Sequence, residues 1–212
     1  MRCDTKDPGC RKKSTINLAG FLARSRVNGP GVRSVIWVRG CPLRCDGCFN
    51  ADFRPFFPEN QTEINLLAER IIALKNIDGV TFSGGEPFVQ ANALAALGER
   101  LKEAGLSVIT YTGFTYDEIL RKKRLAWQNL LSVTDLLIAG PYIPSLSCTK
   151  PWIGSSNQQL VFLTGTLENP SGGSEYASGG VELIVSQEGT ITATGFPSNQ
   201  FVRQLAFRCN GG

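Results

Sequence analysis

Short apolar runs alternate with stretches of helical periodicity along the middle of the chain. Each apolar run has the length of a strand and is bounded by glycine or polar residues, which predicts a buried strand. Between the runs, apolar residues recur every three or four positions, which predicts amphipathic helices. The predicted strands cover residues 34–38, 79–82, 106–111 and 136–139, and the predicted helices cover residues 63–74, 91–104, 116–123 and 125–131.

Two local signals support the boundaries of these helices. Gly105 follows the second helical stretch and is the residue type that most often ends a helix. Thr115 and Glu118 have the spacing of a capping box, in which each side chain caps a backbone N–H of the other residue. The alternation of strands and helices predicts a parallel sheet with right-handed crossovers. A ligand site is then expected beyond the carboxyl ends of the strands.

The two ends of the chain differ from this pattern. Residues 1–27 show little periodicity and are interpreted as an N-terminal extension or an edge element of the core, which spans residues 28–165. Residues 166–212 are predicted to form a β-rich C-terminal appendage. Within it, a loop rich in glycine and serine precedes two strand-like runs, 181–185 and 190–194, whose separation by Ser-Gln-Glu-Gly predicts a hairpin.

Three cysteines with C-x3-C-x2-C spacing directly follow the first predicted strand: Cys41, Cys45 and Cys48. Thiolates are soft ligands that suit iron–sulfur clusters and zinc. A complete cluster or zinc site held by protein usually has four ligands, whereas this loop offers three and the chain contains no histidine. Either a distant cysteine such as Cys148 or Cys209 completes the site, or one iron stays open to bind a small molecule.

The composition narrows the class of protein further. The absence of histidine excludes hydrolases of the Ser-His or Cys-His kind and histidine-ligated metal enzymes. Seven cysteines, without a recognisable signal peptide or a bilayer-length apolar run, indicate metal or redox chemistry in a reducing compartment. A cytoplasmic location is therefore expected.

The net charge of +4 is mild, so the basic clusters at residues 11–13 and 121–124 are interpreted as solvated faces rather than nucleic-acid sites. Docking of an acidic partner is the lesser alternative.

A second loop, Gly84-Gly85-Glu86, follows the second predicted strand. Glycines let a backbone approach a ligand closely, and a carboxylate can accept hydrogen bonds from an ammonium group. Alone, the pattern is more often a simple turn. Beside a cysteine loop at the same rim of the sheet, it indicates a site in which an open iron chelates an amino acid through its amine and carboxylate while this loop binds the same amine.

Together these motifs resemble the signature of the radical S-adenosylmethionine superfamily, in which a C-x3-C-x2-C loop precedes a Gly-Gly-Glu or Gly-Gly-Asp loop. More narrowly, the chain resembles the activating enzymes of anaerobic (class III) ribonucleoside-triphosphate reductases. Most superfamily members carry an aromatic residue before the third cysteine, whereas this chain has Gly47 there and Phe49 after that cysteine, which is the pattern of the reductase activases. The matching segments are residues 28–31, 40–41, 45–50, 83–87, 112–114, 135–141 and 152–159.

The resemblance implies a fold, two cofactors and their ligands. The implied fold class is α/β: a partial, open (β/α) barrel of mostly parallel strands with the β-rich appendage. The implied cofactors are a 4Fe–4S cluster held by Cys41, Cys45 and Cys48, and S-adenosyl-L-methionine bound to the open iron through its amine and carboxylate. No catalytic side chain is expected beyond the cluster. By the same resemblance, the residues that contact S-adenosylmethionine are Gly47, Cys48 and Phe49 near the adenine, and Ser83, Gly84, Gly85 and Glu86 at the methionyl end.

The resemblance also implies an activity and its partners. Reductive cleavage of S-adenosylmethionine gives a 5′-deoxyadenosyl radical, which takes a hydrogen atom from a backbone glycine of an anaerobic ribonucleotide reductase, with a flavodoxin or ferredoxin as electron donor. The extra residues at both ends leave open a radical enzyme that acts on another substrate, such as a peptide or a nucleobase. A non-catalytic iron–sulfur protein for electron transfer or binding, with Cys148 or Cys209 as the fourth ligand, is the second alternative.

Some features have no firm role at this stage. Residues 152–158 either pack against the cluster loop or contact a cofactor or partner, and the two interpretations are weighed equally. Asp135 is expected only to end the helix before its strand. Cys3, Cys10, Cys148 and Cys209 are interpreted as buried or incidental thiols because their spacing is irregular.

Overall fold

A seven-stranded sheet forms the centre of the computed structural model, which describes residues 15–168, 180–185, 188–189 and 191–196. Its strands are β1 (Thr15–Ser25), β2 (Arg33–Val38), β3 (Gln61–Glu63), β4 (Gly79–Gly84), β5 (Ser107–Thr112), β6 (Leu136–Ala139) and β7 (Gln159–Phe162). The α-helices are α1 (Ile64–Ile72), α2 (Ala91–Glu103), α3 (Tyr116–Lys122) and α4 (Leu125–Val133). A separate hairpin consists of β8 (Val181–Val185) and β9 (Ile191–Gly195).

The sheet is mixed, with a mainly parallel centre. Its strand order is β3-β1-β2-β4-β5-β6-β7. The four strands β2, β4, β5 and β6 pair in parallel, which confirms the predicted parallel sheet. On one side β1 runs antiparallel between β2 and β3, and on the other side β7 runs antiparallel to β6. The antiparallel strands therefore widen the sheet beyond the four strands that the hydrophobic pattern predicts.

Helices α1, α2 and α4 cover one face of the sheet and form the main hydrophobic core with it. Alternate strand residues point to this face, as the fully buried Ile36 and Phe82 do. On β5, Ile109 belongs instead to a smaller cluster with Trp152. The strands thus leave part of a second face available for a site. In the part of the chain that the structure describes, every helix is too short or too polar to cross a bilayer.

The predicted helices and parallel strands agree with the structure to within two residues at each end. The capping box is confirmed, because the hydroxyl of Thr115 accepts a hydrogen bond from the Glu118 N–H and the Glu118 carboxylate accepts one from the Thr115 N–H. Gly105 follows α2 with a φ of 81°, as expected for a glycine at a helix end. The predicted C-terminal hairpin is present as β8 and β9, whose residues pair antiparallel.

Strands β1 and β7 do not follow from the sequence pattern. The interpretation of residues 1–27 as an extension or edge element is wrong for Thr15–Ser25, which lies between β3 and β2 in the sheet. The register of β1 shifts between Leu18 and Gly20, so its apolar positions do not alternate regularly. Strand β7 has only four residues, too few for a clear period. Residues 1–14 and 197–212, which include Cys3, Cys10 and Cys209, lie outside the described residues.

A buried arginine ties together the strands at the end of the sheet where β2 begins. Arg33 is completely buried, and its guanidinium donates hydrogen bonds to the carbonyl oxygens of Val80 and Ser107 at 2.9 and 2.7 Å. Burial lowers the pKa of Arg33 to about 10, although the nearby carboxylate of Asp135 counteracts this effect. One side chain thereby links β2, β4 and β5 and fixes their relative positions.

Candidate functional site

A cavity of about 430 Å³ lies beside the carboxyl ends of β2 and β4. The paired residues Val38 and Gly84 end these two parallel strands, so the loops that follow them start side by side. This confirms that the cysteine loop and the Gly-Gly-Glu loop share one rim of the sheet. Gly47 is not among the residues that line the cavity. The other predicted site residues all line it: Cys41, Cys45, Cys48, Phe49, Ser83, Gly84, Gly85 and Glu86.

Backbone hydrogen bonds fix the start of the cysteine loop. The Gly40 N–H donates to the carbonyl of Phe53 at 2.8 Å, and the Cys41 N–H donates to the carbonyl of Arg54 at 3.0 Å. Gly40 has a φ of 95°, a conformation that glycine adopts at no steric cost. The chain therefore turns sharply after β2 and places the first cysteine against the short 3-10 helix Ala51–Phe53.

The two glycines of the Gly-Gly-Glu loop let it contact the cysteine loop directly. The N–H groups of Gly85 and Glu86 donate to the carbonyls of Val38 and Gly40 at 2.7 and 2.9 Å. A Cβ atom on Gly85 would lie 2.5 Å from the Gly40 oxygen, which is closer than real Cβ atoms approach. Gly84 has a φ of 106° and is equally crowded by the backbone of β2. The close packing of one loop on the other therefore explains why glycine is required at positions 84 and 85.

Glu86 is buried and holds the end of β5 in place. Its carboxylate accepts hydrogen bonds from the Phe88 N–H at 3.0 Å, the Thr112 hydroxyl at 2.9 Å and the Gly113 N–H at 2.9 Å. Burial raises the pKa of Glu86 to about 7, and these hydrogen bonds oppose the increase. A carboxylate has about four acceptor positions, so an ammonium group in the cavity could still be accepted.

The three cysteine side chains are partly buried and line the same cavity. Burial raises the pKa of the Cys41 thiol to about 11 despite a hydrogen bond from the Leu43 backbone, and burial also raises the pKa of Cys45. Within the described residues, no three histidine, cysteine, aspartate or glutamate side chains converge tightly enough to hold a metal ion. The donor set itself fits an iron–sulfur cluster with three protein ligands, because it offers three soft sulfur atoms on one loop.

An aromatic pair stands beside the third cysteine. The rings of Phe49 and Tyr142 lie 5.2 Å apart between centroids, and both side chains line the cavity. The loop that carries Tyr142 is held by the segment 152–158, because the side chains of Asn157 and Gln158 donate to backbone carbonyls at residues 141 and 140. Since Gln158 also lines the cavity, this segment both packs against the site and reaches it.

Cys148 and Asp135 lie away from the cavity lining. Cys148 is partly buried against the smaller hydrophobic cluster, so the structure gives no support to its role as a fourth ligand. Asp135 is buried and does more than end a helix: it accepts hydrogen bonds from Lys102, the Val108 N–H and the Thr164 hydroxyl at 2.6, 2.8 and 2.6 Å. Although burial opposes its ionisation, these hydrogen bonds hold the pKa of Asp135 below its usual value.

Two contributions to the cavity are not predicted from the sequence. Tyr142 follows the predicted strand at 136–139 by three residues, and only its aromatic character after Gly140-Pro141 could have signalled a site. Residues 192–196 of the C-terminal hairpin also line the cavity, although about 140 residues separate them from the cysteine loop. No local pattern in the sequence indicates this long-range contact.

Comparisons with known proteins show that most of the chain matches one family. Residues 27–161 match the family described as a 4Fe-4S single cluster domain. The anaerobic ribonucleoside-triphosphate reductase-activating protein of Enterobacteria phage T4 is 31% identical over 142 residues, which cover 63% of this chain and 86% of the relative. The protein of the same name from Salmonella typhi is 29% identical over 143 residues, covering 62% and 89%. The pyruvate formate-lyase-activating enzyme of Clostridium pasteurianum is 32% identical over 118 residues, covering 51% and 50%.

Proposed function

Because the chain belongs to the 4Fe-4S single cluster domain family, together with the anaerobic ribonucleoside-triphosphate reductase-activating proteins, we propose that it activates such a reductase as a radical S-adenosylmethionine enzyme. Its cofactors are a 4Fe–4S cluster and S-adenosylmethionine, and its product is a glycyl radical on the reductase. The observation that carries the proposal is the meeting of the three-cysteine loop and the Gly-Gly-Glu loop at one cavity.

In this proposal Cys41, Cys45 and Cys48 would hold the cluster, and these three thiolates would leave one iron free for S-adenosylmethionine. When bound, the reduced cluster would supply one electron for the cleavage of S-adenosylmethionine into methionine and a 5′-deoxyadenosyl radical, which would take a hydrogen atom from the glycine Cα and become 5′-deoxyadenosine. The chain itself binds, orients and shields these groups. The three thiols must lose their protons to become ligands, so cluster assembly is expected to release protons.

Some of the other residues that line the cavity would bind the methionyl end of S-adenosylmethionine, and others would bind its adenine. Glu86 and the backbone carbonyls of Gly84 and Gly85 would accept the methionyl ammonium group, because all three residues line the cavity and the Glu86 carboxylate has one acceptor position left beyond its three hydrogen bonds. Phe49 and Tyr142 bind the adenine between or against their rings, since aromatic faces stack on nucleobases. Gly47 acts through its backbone conformation, because its φ of 64° directs the chain from Cys45 towards Cys48.

We also propose that the core forms a partial, open (β/α) barrel. The four parallel strands supply the start of such a barrel, and the helices cover its outer face. A partner loop that carries the glycine would enter from the open side. Residues 28–165 would form this core, and residues 166–212 would be an appendage to it. The cytoplasmic location that the sequence favours also stays a prediction.

The electron donor is proposed to be a flavodoxin or ferredoxin that docks on a basic groove next to the cysteine loop. This groove has a volume of about 710 Å³ and is lined by Leu43 of the loop and by Lys122, Arg124 and Trp127. Lys122 and Arg124 are exposed, and their charged groups lie 5.2 and 5.0 Å from the Trp127 ring centroid. Small acidic electron carriers are attracted to such surfaces, so the cluster would receive its electron over a short path.

Charge reversal tests this docking site. The double variant Lys122→Glu, Arg124→Glu is expected to slow reduction by a flavodoxin while leaving reduction by dithionite unchanged. Lys75→Glu is the control, because this exposed lysine precedes β4 and lies at the other end of the strands. Equal flavodoxin rates in the wild type and the double variant at low salt would rule out this surface as the docking site.

The enzyme activity is tested by 5′-deoxyadenosine formation. Anaerobically reconstituted, dithionite-reduced protein is mixed with S-adenosylmethionine, and iron content is measured on the same sample. We expect 5′-deoxyadenosine from the wild type, none from Cys45→Ala, and wild-type amounts from Cys148→Ala, which removes a thiol away from the cavity lining. If Cys148→Ala lost iron and activity as completely as Cys45→Ala, a fourth protein ligand would replace the open iron and the proposal would fail.

A further inference from the structure

The β8–β9 hairpin lines the same cavity as the cysteine loop, although it lies outside the residues that match the family. The family match ends at residue 161, whereas residues 192–196 of the hairpin form part of the cavity lining. The family match therefore does not explain why the hairpin lines the cavity. The contacts between the hairpin and the core indicate its role.

Hydrogen bonds join the hairpin to the segment that precedes β2. The Arg26 N–H donates to the Glu182 carboxylate at 2.8 Å, and the Asn28 side chain donates to the buried Thr194 hydroxyl at 2.9 Å. Asn28 is itself fixed on the sheet, because its carbonyl accepts a hydrogen bond of 2.7 Å from Thr81, in the middle of β4. The hairpin is thus attached to the core through a segment that rests on the strands lining the site.

The base of the hairpin is also fitted closely to the core. The Phe196 ring lies 6.1 Å from the Tyr111 ring, and the Phe196 N–H closes the hairpin base on the Gly180 carbonyl at 3.1 Å. Gly195 has a φ of 107°, and a Cβ atom there would lie 2.9 Å from a methyl group of Val27. Such an approach requires glycine, so this contact is specific packing rather than accidental proximity.

The two ends of the hairpin differ in exposure. At the far end, Val185 and Ile191 are 65% and 56% exposed, whereas Thr194 near the base is 8% exposed. Thr192 lies between them: it is exposed and also lines the cavity. Thr192 therefore lies at the opening of the cavity, at the edge of the surface that β9 contributes to the lining.

We propose that β9 is the wall that decides which hydrogen donor reaches the cavity, with Thr192 at the edge of the passage and Thr194 and Phe196 holding the wall in place. This inference rests on the proposed function, in which the donor is a polypeptide backbone. A cavity of about 430 Å³ is of the size that encloses one small-molecule ligand. Because residues of β9 line one side of a cavity of this size, the wall favours a donor segment without a side chain and excludes bulkier donors.

A pair of matched tryptophan variants tests the wall. Thr192→Trp narrows the passage, whereas Val185→Trp adds the same side chain to an exposed position of the same hairpin that is not in the cavity lining. The measured quantity is the amount of glycyl radical on the reductase per 5′-deoxyadenosine formed. We expect this ratio to fall by about tenfold in Thr192→Trp, which corresponds to ~1.4 kcal/mol, and to stay at the wild-type value in Val185→Trp. An unchanged ratio in Thr192→Trp would overturn the inference.

Hydrogen exchange provides a readout that does not depend on turnover. S-adenosylmethionine added to the unreduced wild-type protein should slow amide exchange at residues 192–196 and leave residues 181–185 unaffected. The variant Thr194→Val, which removes the hydroxyl bonded to Asn28 while keeping its shape, should speed exchange of β9. Unchanged exchange at residues 192–196 in both comparisons would show that β9 is not a wall of the ligand site.

The two proposals fail in different ways. If the wild type forms no 5′-deoxyadenosine, the proposed function fails, whatever the hairpin variants do. If the wild type forms both products and Thr192→Trp keeps the wild-type ratio, only the inference on β9 fails.

Discussion

The substitution Gly85→Ala tests whether contact between the two loops builds the site. The added methyl carbon would lie 2.5 Å from the Gly40 oxygen, 2.9 Å from the Gly40 carbonyl carbon and 3.0 Å from the Phe53 oxygen. All three neighbours are backbone atoms, so no flexible side chain can move aside. The Gly-Gly-Glu loop and the cysteine loop must therefore separate.

The cost of this separation follows from the bonds that it breaks. The hydrogen bonds from Gly85 to Val38 and from Glu86 to Gly40 join the two loops, and each contributes about 0.5–1.5 kcal/mol. Forcing an extra carbon into a packed region costs about 1–3 kcal/mol more. We expect a loss of about 2–6 kcal/mol in the free energy of unfolding, which lowers the melting temperature of a chain this size by roughly 4–24 °C.

Thermal unfolding of the iron-free protein and iron content after reconstitution are the two assays. Gly165→Ala is the matched control, because nothing lies within 4 Å of a Cβ atom at that glycine. Gly85→Ala should melt earlier than this control and retain less iron, since Cys41 is attached to the displaced loop. If the two variants melted together and held equal iron, contact between the loops would not support the cluster site.

Three further predictions concern single side chains. Asp135→Asn should lower the free energy of unfolding by about 2–3 kcal/mol at neutral pH, because a buried acceptor of three hydrogen bonds loses its charge. The pKa of Asp135 lies below its ordinary value of 3.8 in the folded chain, so the wild type should lose this advantage as the pH falls below about 4, as measured by urea unfolding across pH. Arg33→Met should cost about 3–5 kcal/mol in the same assay, because buried carbonyl oxygens lose their donors. Phe49→Ala should weaken S-adenosylmethionine binding by about tenfold, measured by calorimetry, because one face for the adenine is removed.

Each of these variants has a control and an outcome that contradicts it. Arg24→Met is the control for Arg33→Met, because Arg24 is a surface residue that donates to one carbonyl oxygen only in the part of the chain the structure describes. Equal stability of these two variants would contradict the structural role of Arg33. Leu125→Ala, at a 72% exposed position away from the cavity, is the control for Phe49→Ala. If Phe49→Ala bound S-adenosylmethionine as tightly as the wild type, the adenine contact would be contradicted. If Asp135→Asn had the same free energy of unfolding as the wild type at every pH, the ionised state of Asp135 would be contradicted.

The parts of the fold that the sequence predicts correctly are those with local signals. The four parallel strands, the four helices and the capping box at Thr115 each depend on residues close together in the chain. The position of the site follows as well, because parallel strands place the loops after Val38 and Gly84 on one rim.

The parts that the sequence does not predict depend on long-range contacts. Strand β1 has a shifted register, and its place in the sheet depends on pairing with β3, more than 35 residues away. The bond between Asn28 and Thr194 spans 166 positions. From the sequence, a single arginine at the start of an apolar run indicates only an exposed strand end. In the structure, the hydrogen bonds of Arg33 join three strands. Periodicity carries no information on such contacts.

The most direct test of the account is an electron paramagnetic resonance spectrum of the reductase after incubation with the reduced chain and S-adenosylmethionine. We expect the doublet of a glycyl radical, formed together with 5′-deoxyadenosine and absent with Cys45→Ala. If iron-loaded wild-type protein formed 5′-deoxyadenosine in the presence of the reductase and no glycyl radical appeared, the reductase would not be the target of this enzyme.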